Sequence, residues 1–173
     1  KYPEKKQIII QPFNLPEMIN IIKNSNLKVD FVELDTNTGG LKIEALKKMV
    51  SKKTLAIVVT NIFNSPSILI KLQNFCKEKK ILLIEDNAIY FDNFFLWKKK
   101  KIYSGSFGDY SLLSFNIMKN ISAFYGGGVA TSDERFKNYA LKEISKFKNF
   151  RKYILYKQVI IYFVLKLLLI KPF

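Results

Sequence analysis

Histidine is absent from this chain of 173 residues, and cysteine occurs once, as Cys76. A single cysteine cannot form a disulfide within the chain, and without imidazole a zinc ion lacks its usual nitrogen ligand. These absences predict a protein of the reducing cytoplasm whose functional site holds no metal.

No internal repeat and no low-complexity linker is visible. Residues 1–10 hold no long apolar stretch that ends in small residues, so no signal peptide is visible in them either. The chain does not begin with Met. We therefore expect a processed chain or, in preference, a fragment of a longer polypeptide. The content of 49% hydrophobic and 14% aromatic residues excludes disorder, because enough apolar surface is available for burial.

The formal net charge of +15 raises the question of a polyanionic partner. Most of the cations are lysines, and the chain is also rich in Ile and Asn, which is typical of a genome-wide compositional bias. No nucleic-acid-binding motif accompanies the charge. The sequence therefore predicts no nucleic-acid partner.

Short runs of β-branched residues alternate with amphipathic helical patterns, which is typical of an α/β protein with a largely parallel sheet. The predicted strands are residues 7–10, 29–34, 55–59, 81–84, 110–115 and 129–131. The predicted helices are residues 16–23, 43–50, 68–79 and 133–144.

One group of residues carries chemistry. Asp86 follows the all-apolar strand 81–84, and ligands of open α/β sheets bind beyond the carboxyl ends of such strands. Lys119 and Ser114 flank the end of another predicted strand, and Gly126–Gly128 follow. Each residue alone is a weak signal, but an acid, an amine, a hydroxyl and a flexible backbone are the parts that a pyridoxal phosphate site needs.

Four blocks make the pattern more specific. VDFVELDTNTGGLKIEAL, TLAIVVTNIFNSP, ILLIEDNA and GDYSLLSFNIMKN resemble, in order and at similar spacing, segments of the DegT/StrS family of sugar-nucleotide aminotransferases. The resemblance implies part of the fold type I large domain, a three-layer αβα sandwich around a mixed, mostly parallel sheet. It also implies pyridoxal 5'-phosphate as the cofactor and a homodimer as the functional assembly.

The resemblance assigns roles by position. Lys119 matches the Schiff-base lysine that later moves protons, and Asp86 matches the acid at the pyridine nitrogen. Ser114 matches a ligand of the cofactor phosphate, and Ala88 matches the small residue packed against the cofactor ring. Gly126 and Gly127 match the end of the family's glycine turn.

Several positions depart from the family pattern. Ile89 stands where Gln or His is common, and Phe124 and Tyr125 replace Gly and Glu of the glycine turn. Asn61 and Asn64 replace His and Gly of another block. The stretch 90–101 is more aromatic and basic than its counterpart, which leaves the sugar unidentified.

The resemblance also sets the expected organisation. Residues 1–146 would form part of the cofactor-binding domain, and residues 147–173 a basic and apolar helical segment leading to a small domain outside the chain. The apolar run 159–170 would reach about 18 Å as a helix, which is short of a ~30 Å hydrocarbon core. It is expected to be a subunit or domain interface. The alternative is a peripheral membrane contact with Lys148, Arg151, Lys152 and Lys157 at the lipid headgroups.

The function that the resemblance implies is transamination of a keto sugar on a nucleotide carrier, with glutamate as the amino donor. The dehydratase branch of the family carries His in place of the lysine, so Lys119 argues against it. The alternative is a non-catalytic, degenerate family member that acts as a binding or regulatory protein.

Overall fold

A computed structural model describes residues 4–62, 65–89, 91 and 94–169 of the chain. The described chain forms two compact units, Lys1–Ser132 and Asp133–Phe173. Asn64 and Tyr90, which enter the comparison above, lie outside the described residues, as do residues 170–173 of the C-terminal segment. The domain boundary after residue 146 concerns a longer protein and stays a prediction.

A six-stranded sheet forms the centre of the first unit. Its strands are β1 (Gln7–Ile10), β2 (Lys28–Phe31), β3 (Thr54–Thr60), β4 (Leu82–Asp86), β7 (Tyr110–Ser114) and β8 (Gly127–Thr131). They lie in the order β2-β1-β3-β4-β7-β8. All neighbours are parallel except β7 and β8, which are antiparallel. The predicted mixed, mostly parallel sheet is confirmed.

Helices cover both faces of this sheet. In the first unit, α1 (Pro16–Asn24) packs through Met18, Ile19 and Ile22 against the face that carries Ala56 and Val58. The opposite face carries Ile57, Val59 and Leu83, and it packs against α2 (Ile43–Met49) and α3 (Pro66–Lys79). The alternation of strand side chains therefore builds two apolar layers and the expected three-layer sandwich.

The helix and strand ends differ from the predictions by a few residues. Helix α3 begins at Pro66 rather than at residue 68, because proline is well suited to the first helical position, where no N–H bond is lost. Strand β4 continues past residue 84 through Glu85 and Asp86, which pair with Val59 and Thr60 of β3.

A short hairpin between β4 and β7 was not predicted. Strands β5 (Phe94–Trp97) and β6 (Lys100–Tyr103) pair antiparallel through a turn made of Lys98 and Lys99. Both lysines have a positive φ, 47° and 65°. Such turns are usually marked by Asn-Gly or Asp-Gly, and this turn carries neither.

The second unit consists of two helices. Helix α4 (Glu134–Ile144) is capped by Asp133, whose side chain accepts hydrogen bonds from the N–H groups of Arg135 and Phe136. Helix α5 (Lys152–Leu169) carries many exposed apolar side chains, among them Ile160, Phe163 and Leu168. No helix in the described part of the chain is both long and apolar enough to cross a membrane. The partner of α5 stays a prediction.

Candidate functional site

The candidate site lies where the parallel strands β3, β4 and β7 end. Asp86 is the last residue of β4 and pairs with Thr60, the last residue of β3. On its other side Asp86 pairs with Leu112, two residues before Ser114 at the end of β7. Because side chains alternate along a strand, Thr60, Asp86 and Ser114 all face the same side of the sheet, the side of α1.

A cavity of about 230 Å³ opens at this edge. Asp86, Ala88 and Lys119 line it together with the loop before α1; the other lining residues are Pro12, Phe13, Asn14, Leu15, Thr60, Ile62 and Ile89. A smaller cavity shares Ala88, Ile89 and Lys119 with the first and includes Ser114. The fold thus brings together all four residues that the resemblance assigned to the cofactor.

Asp86 is the acid that lines the larger cavity, and its pKa departs from the usual value. Its side chain is 5% exposed, and burial raises the pKa of the carboxyl above its usual value. Three features oppose this rise in the pKa: the N–H of Ala88, the positive charge of Lys119 and a hydrogen bond from Thr60. The Ala88 nitrogen lies 3.0 Å from Asp86 Oδ1.

Lys119 lies on the loop between β7 and β8. This loop is closed at its base, because the Phe115 nitrogen donates to the Gly126 carbonyl over 3.0 Å and the Ala123 nitrogen donates to the Phe115 carbonyl over 2.8 Å. A Cβ atom on Gly127 would lie 2.6 Å from the Leu113 carbonyl oxygen. The close approach of the two strands therefore requires glycine at position 127.

Glu85, the neighbour of Asp86, faces the opposite side of the sheet. It is fully buried, and its Oε1 accepts from the nitrogens of Phe107 (2.6 Å) and Gly108 (2.7 Å). Its Oε2 accepts from Asn61 Nδ2 over 3.0 Å. These donors stabilise a carboxylate that would otherwise be costly to bury.

The Glu85 bonds continue into a buried network. Asn61 Nδ2 also donates to Asn87 Oδ1 over 2.8 Å, and Asn87 Nδ2 donates to Ser111 Oγ over 2.7 Å. The network joins the ends of β3 and β4 to β7. Sequence analysis missed it, although the acidic pair Glu85-Asp86 held a signal, because consecutive strand residues must face opposite sides.

Comparison with known proteins identifies the family. The sequence profile of the DegT/DnrJ/EryC1/StrS aminotransferase family matches residues 2–153, which include the whole candidate site. This chain belongs to that family. The resemblance stated from the four sequence blocks is confirmed.

Two curated relatives illustrate the range of the family. GDP-perosamine synthase of Escherichia coli O157:H7 is 28% identical over 131 residues, which are 76% of this chain and 35% of the relative. GDP-4-keto-6-deoxy-D-mannose 3-dehydratase of Escherichia coli O55:H7 (strain CB9615 / EPEC) is 29% identical over 120 residues, 69% of this chain and 30% of the relative. The chain spans about a third of the length of these relatives.

Solved structures support the fold assignment. The structure of E. coli GDP-4-keto-6-deoxy-D-mannose-3-dehydratase with bound hydrated PLP matches with a TM-score of 0.68 and 26% identity. The match covers 80% of this chain and 34% of that protein. The partial fold type I architecture is therefore confirmed, whereas the roles of the individual site residues stay predictions.

Proposed function

We propose that the protein to which this chain belongs is a pyridoxal-phosphate-dependent aminotransferase that acts on a keto sugar carried by a nucleotide. The observation that carries the proposal is the meeting of a buried acid, Asp86, and an amine, Lys119, in one cavity at the carboxyl edge of the sheet. Family membership supports the same chemistry. We further propose glutamate as the amino donor and a homodimer as the working assembly.

The residues of the two cavities fit the cofactor. Lys119 offers the amine that would bond to the aldehyde carbon, and Asp86 offers the carboxylate for the protonated ring nitrogen. Ser114, in the cavity that shares Lys119, offers a hydroxyl to the phosphate. Ala88 lines both cavities, and its small side chain leaves room for a flat ring.

Asp86 and Lys119 would then have different tasks in the reaction. Bound pyridoxal phosphate supplies an electron sink for the negative charge that develops at the carbon losing its proton. Asp86 would hold the proton of the ring nitrogen. Burial raises the pKa of its carboxyl, and the Ala88 N–H, Lys119 and Thr60 oppose that rise. Lys119 would hold the cofactor through its amine and would act as the general base and acid that moves the proton of the reacting carbon.

Lys119 favours transamination over dehydration. The family resemblance implies that the dehydratase branch carries histidine at this position, and the chain contains no histidine. A lysine amine can bond to the cofactor aldehyde and release it again during amino transfer. A relative named as an aminotransferase and one named as a dehydratase both match the chain, so Lys119 rather than overall sequence identity supports transamination.

A non-catalytic binding or regulatory protein is the second candidate. It is favoured by the departures near the cavity, where the apolar Ile89 lines both cavities and Phe124 has a positive φ of 67° in the glycine turn. A binding protein of this kind would hold its ligand without a covalent bond to Lys119. The two candidates therefore differ in whether pyridoxal phosphate becomes covalently bound to Lys119.

Borohydride reduction of the full-length protein with pyridoxal phosphate tests the proposal. We expect one lysine to become permanently modified, and peptide mapping to find it at position 119. Lys119→Ala should abolish the modification and lower amino transfer by at least about 1000-fold, because the covalent step is lost.

Lys100→Ala is the matched control, since Lys100 is an exposed lysine of β6 outside both cavities. Lys100→Ala should still be modified at Lys119, and its amino transfer should equal that of the parent. Modification of the parent at another lysine, or amino transfer that survives in Lys119→Ala, would refute the assignment.

A further inference from the structure

A line of hydrogen bonds lies behind Asp86 and runs through Thr60 and Asn14. Thr60 is 3% exposed, and its hydroxyl donates to the Asp86 carboxylate. The same hydroxyl oxygen accepts from Asn14 Nδ2 over 2.8 Å. Asn14, Thr60 and Asp86 all line the larger cavity, so the line runs along its wall.

The far end of this line is itself held in place. The Thr60 nitrogen donates to Gln11 Oε1 over 2.8 Å, and Gln11 is 3% exposed. Asn14 Oδ1 accepts from the Leu15 nitrogen over 2.9 Å. The loop between β1 and α1 is thus fastened to the end of β3, and the amide of Asn14 has a fixed direction.

Packing alone gives no reason for a hydroxyl at position 60. The residues of β3 on the same face, Ala56 and Val58, are buried and apolar. Valine has the shape of threonine and would continue this face without burying a hydroxyl, which costs free energy unless the group is hydrogen-bonded. Thr60 is polar where its neighbours Ala56 and Val58 are apolar, and it is level with Asp86.

We propose that Thr60 and Asn14 are positioning residues that orient the carboxylate of Asp86 toward the cavity. The proposal rests on the function proposed above, in which that carboxylate meets the ring nitrogen of the cofactor. The Ala88 N–H fixes one oxygen of the carboxylate, Oδ1, and the Thr60 hydroxyl adds a donor from a neighbouring strand. Donors from two directions restrict rotation of the group, which a precise contact with a ring requires.

The main variant is Thr60→Val, and the chain provides a matched control in the same strand. Thr54, at the opposite end of β3, is 0% exposed and hydrogen-bonds to Gln7 through its hydroxyl. Thr54→Val therefore also deletes one buried hydroxyl from β3, but far from Asp86. Lys119 is the other ionisable residue among those that line the larger cavity, and it is unchanged in both variants.

The measurement is the pKa of Asp86 in the full-length protein without cofactor, followed by the carboxyl carbon resonance of labelled aspartate. Thr60→Val should raise this pKa because a donor to the ionised form is lost. Thr60→Ser should restore the parent pKa, and Asn14→Ala should raise it less than Thr60→Val does. Thr54→Val should leave it unchanged. Affinity for pyridoxal phosphate should fall about 10-fold in Thr60→Val and stay at the parent level in Thr54→Val.

An Asp86 pKa that is the same in Thr60→Val and the parent, or that moves equally in Thr54→Val, would overturn the proposal. If Thr60→Val does not fold, Thr60→Ser and Asn14→Ala decide by the same titration. The titration needs no cofactor, so it stands apart from the borohydride experiment. Failure of positioning can therefore be told from failure of the proposed function.

Discussion

Two adjacent carboxylates, Glu85 and Asp86, show how the surroundings of a residue decide its task. Both are buried at the end of β4, and they face opposite sides of the sheet. Glu85 is surrounded by backbone and amide donors, and its hydrogen bonds join the strand ends. Asp86 faces the cavity, where burial raises its pKa and disfavours the charge. The residue that faces the cavity is thus the one whose burial costs stability at neutral pH.

Asp86→Asn should consequently increase the stability of the cofactor-free protein at neutral pH. A raised pKa means that the folded state binds more protons than the unfolded state at pH values between the ordinary pKa of 3.8 and the raised one. The stabilising contribution of Asp86 to the free energy of unfolding is therefore fully present below pH 3.8 and is lost as the pH rises through the raised pKa. In Asp86→Asn this decrease in the free energy of unfolding should be absent. Urea unfolding between pH 4 and pH 8 measures the free energy of unfolding in both proteins.

Glu17→Gln, at an exposed position of α1, is the control for a simple change of net charge. It should keep the pH dependence of the parent protein. A free energy of unfolding that falls with pH as steeply in Asp86→Asn as in the parent would show that Asp86 is not the source. The function proposed above further predicts that the same variant of the full-length protein loses amino transfer, since the proton of the ring nitrogen would no longer be held.

At the scale of elements, hydrogen bonds between side chains hold the strand ends in register. Asn61 links β3 to β4 through Glu85 and Asn87, and Asn87 links β4 to β7 through Ser111. Ser111 and Ser114 lie on the same strand, β7. The network on one face of the sheet therefore supports the site on the other face.

Asn61→Ala should test this support. The substitution removes Asn61 Nδ2, which donates to Glu85 Oε2 and to Asn87 Oδ1. Both buried acceptors then lose this donor. We expect the free energy of unfolding to fall by about 3 kcal/mol, because an unsatisfied buried group retains its desolvation cost. Denaturant unfolding measures this change.

Asn74→Ala, at an exposed position of α3, removes an amide of the same size and should change stability by less than about 0.5 kcal/mol. Equal effects in both variants would contradict the role given to the network. Affinity for pyridoxal phosphate, measured alongside, should fall only in Asn61→Ala, since the strand ends that carry the site lose their alignment.

At the scale of the whole molecule, the chain holds a site but spans about a third of the length of its curated relatives. The family resemblance implies that a phosphate-binding turn and a small domain lie outside the matched segments. We expect the 173-residue polypeptide to bind pyridoxal phosphate at least about 100-fold more weakly than the full-length protein, because phosphate contacts contribute much of the binding energy. Absorbance titration of both polypeptides measures the ratio. Equal affinities would show that the 173 residues hold the complete cofactor site.

The sequence by itself determined the family, most of the strands and helices, and the candidate residues of the site. Buried parallel strands are continuous apolar runs, so β1, β3 and β4 were located to within two residues. Asp86, Ser114 and Lys119 were found because they stand in ordered blocks with family spacing. The hairpin β5–β6 was missed because Lys98 and Lys99 occupy positions for which glycine and asparagine are the usual signal.

Only the tertiary structure decided which distant residues support the acid. Asn14 and Thr60 are 46 positions apart, and Asn61 and Glu85 are 24 apart, yet each pair is joined by a hydrogen bond. Nothing local distinguishes these residues, because threonine and asparagine at strand ends are ordinary turn formers. Their roles arise from the order and register of the strands, which depend on how apolar faces pack across the whole sheet rather than on any one segment.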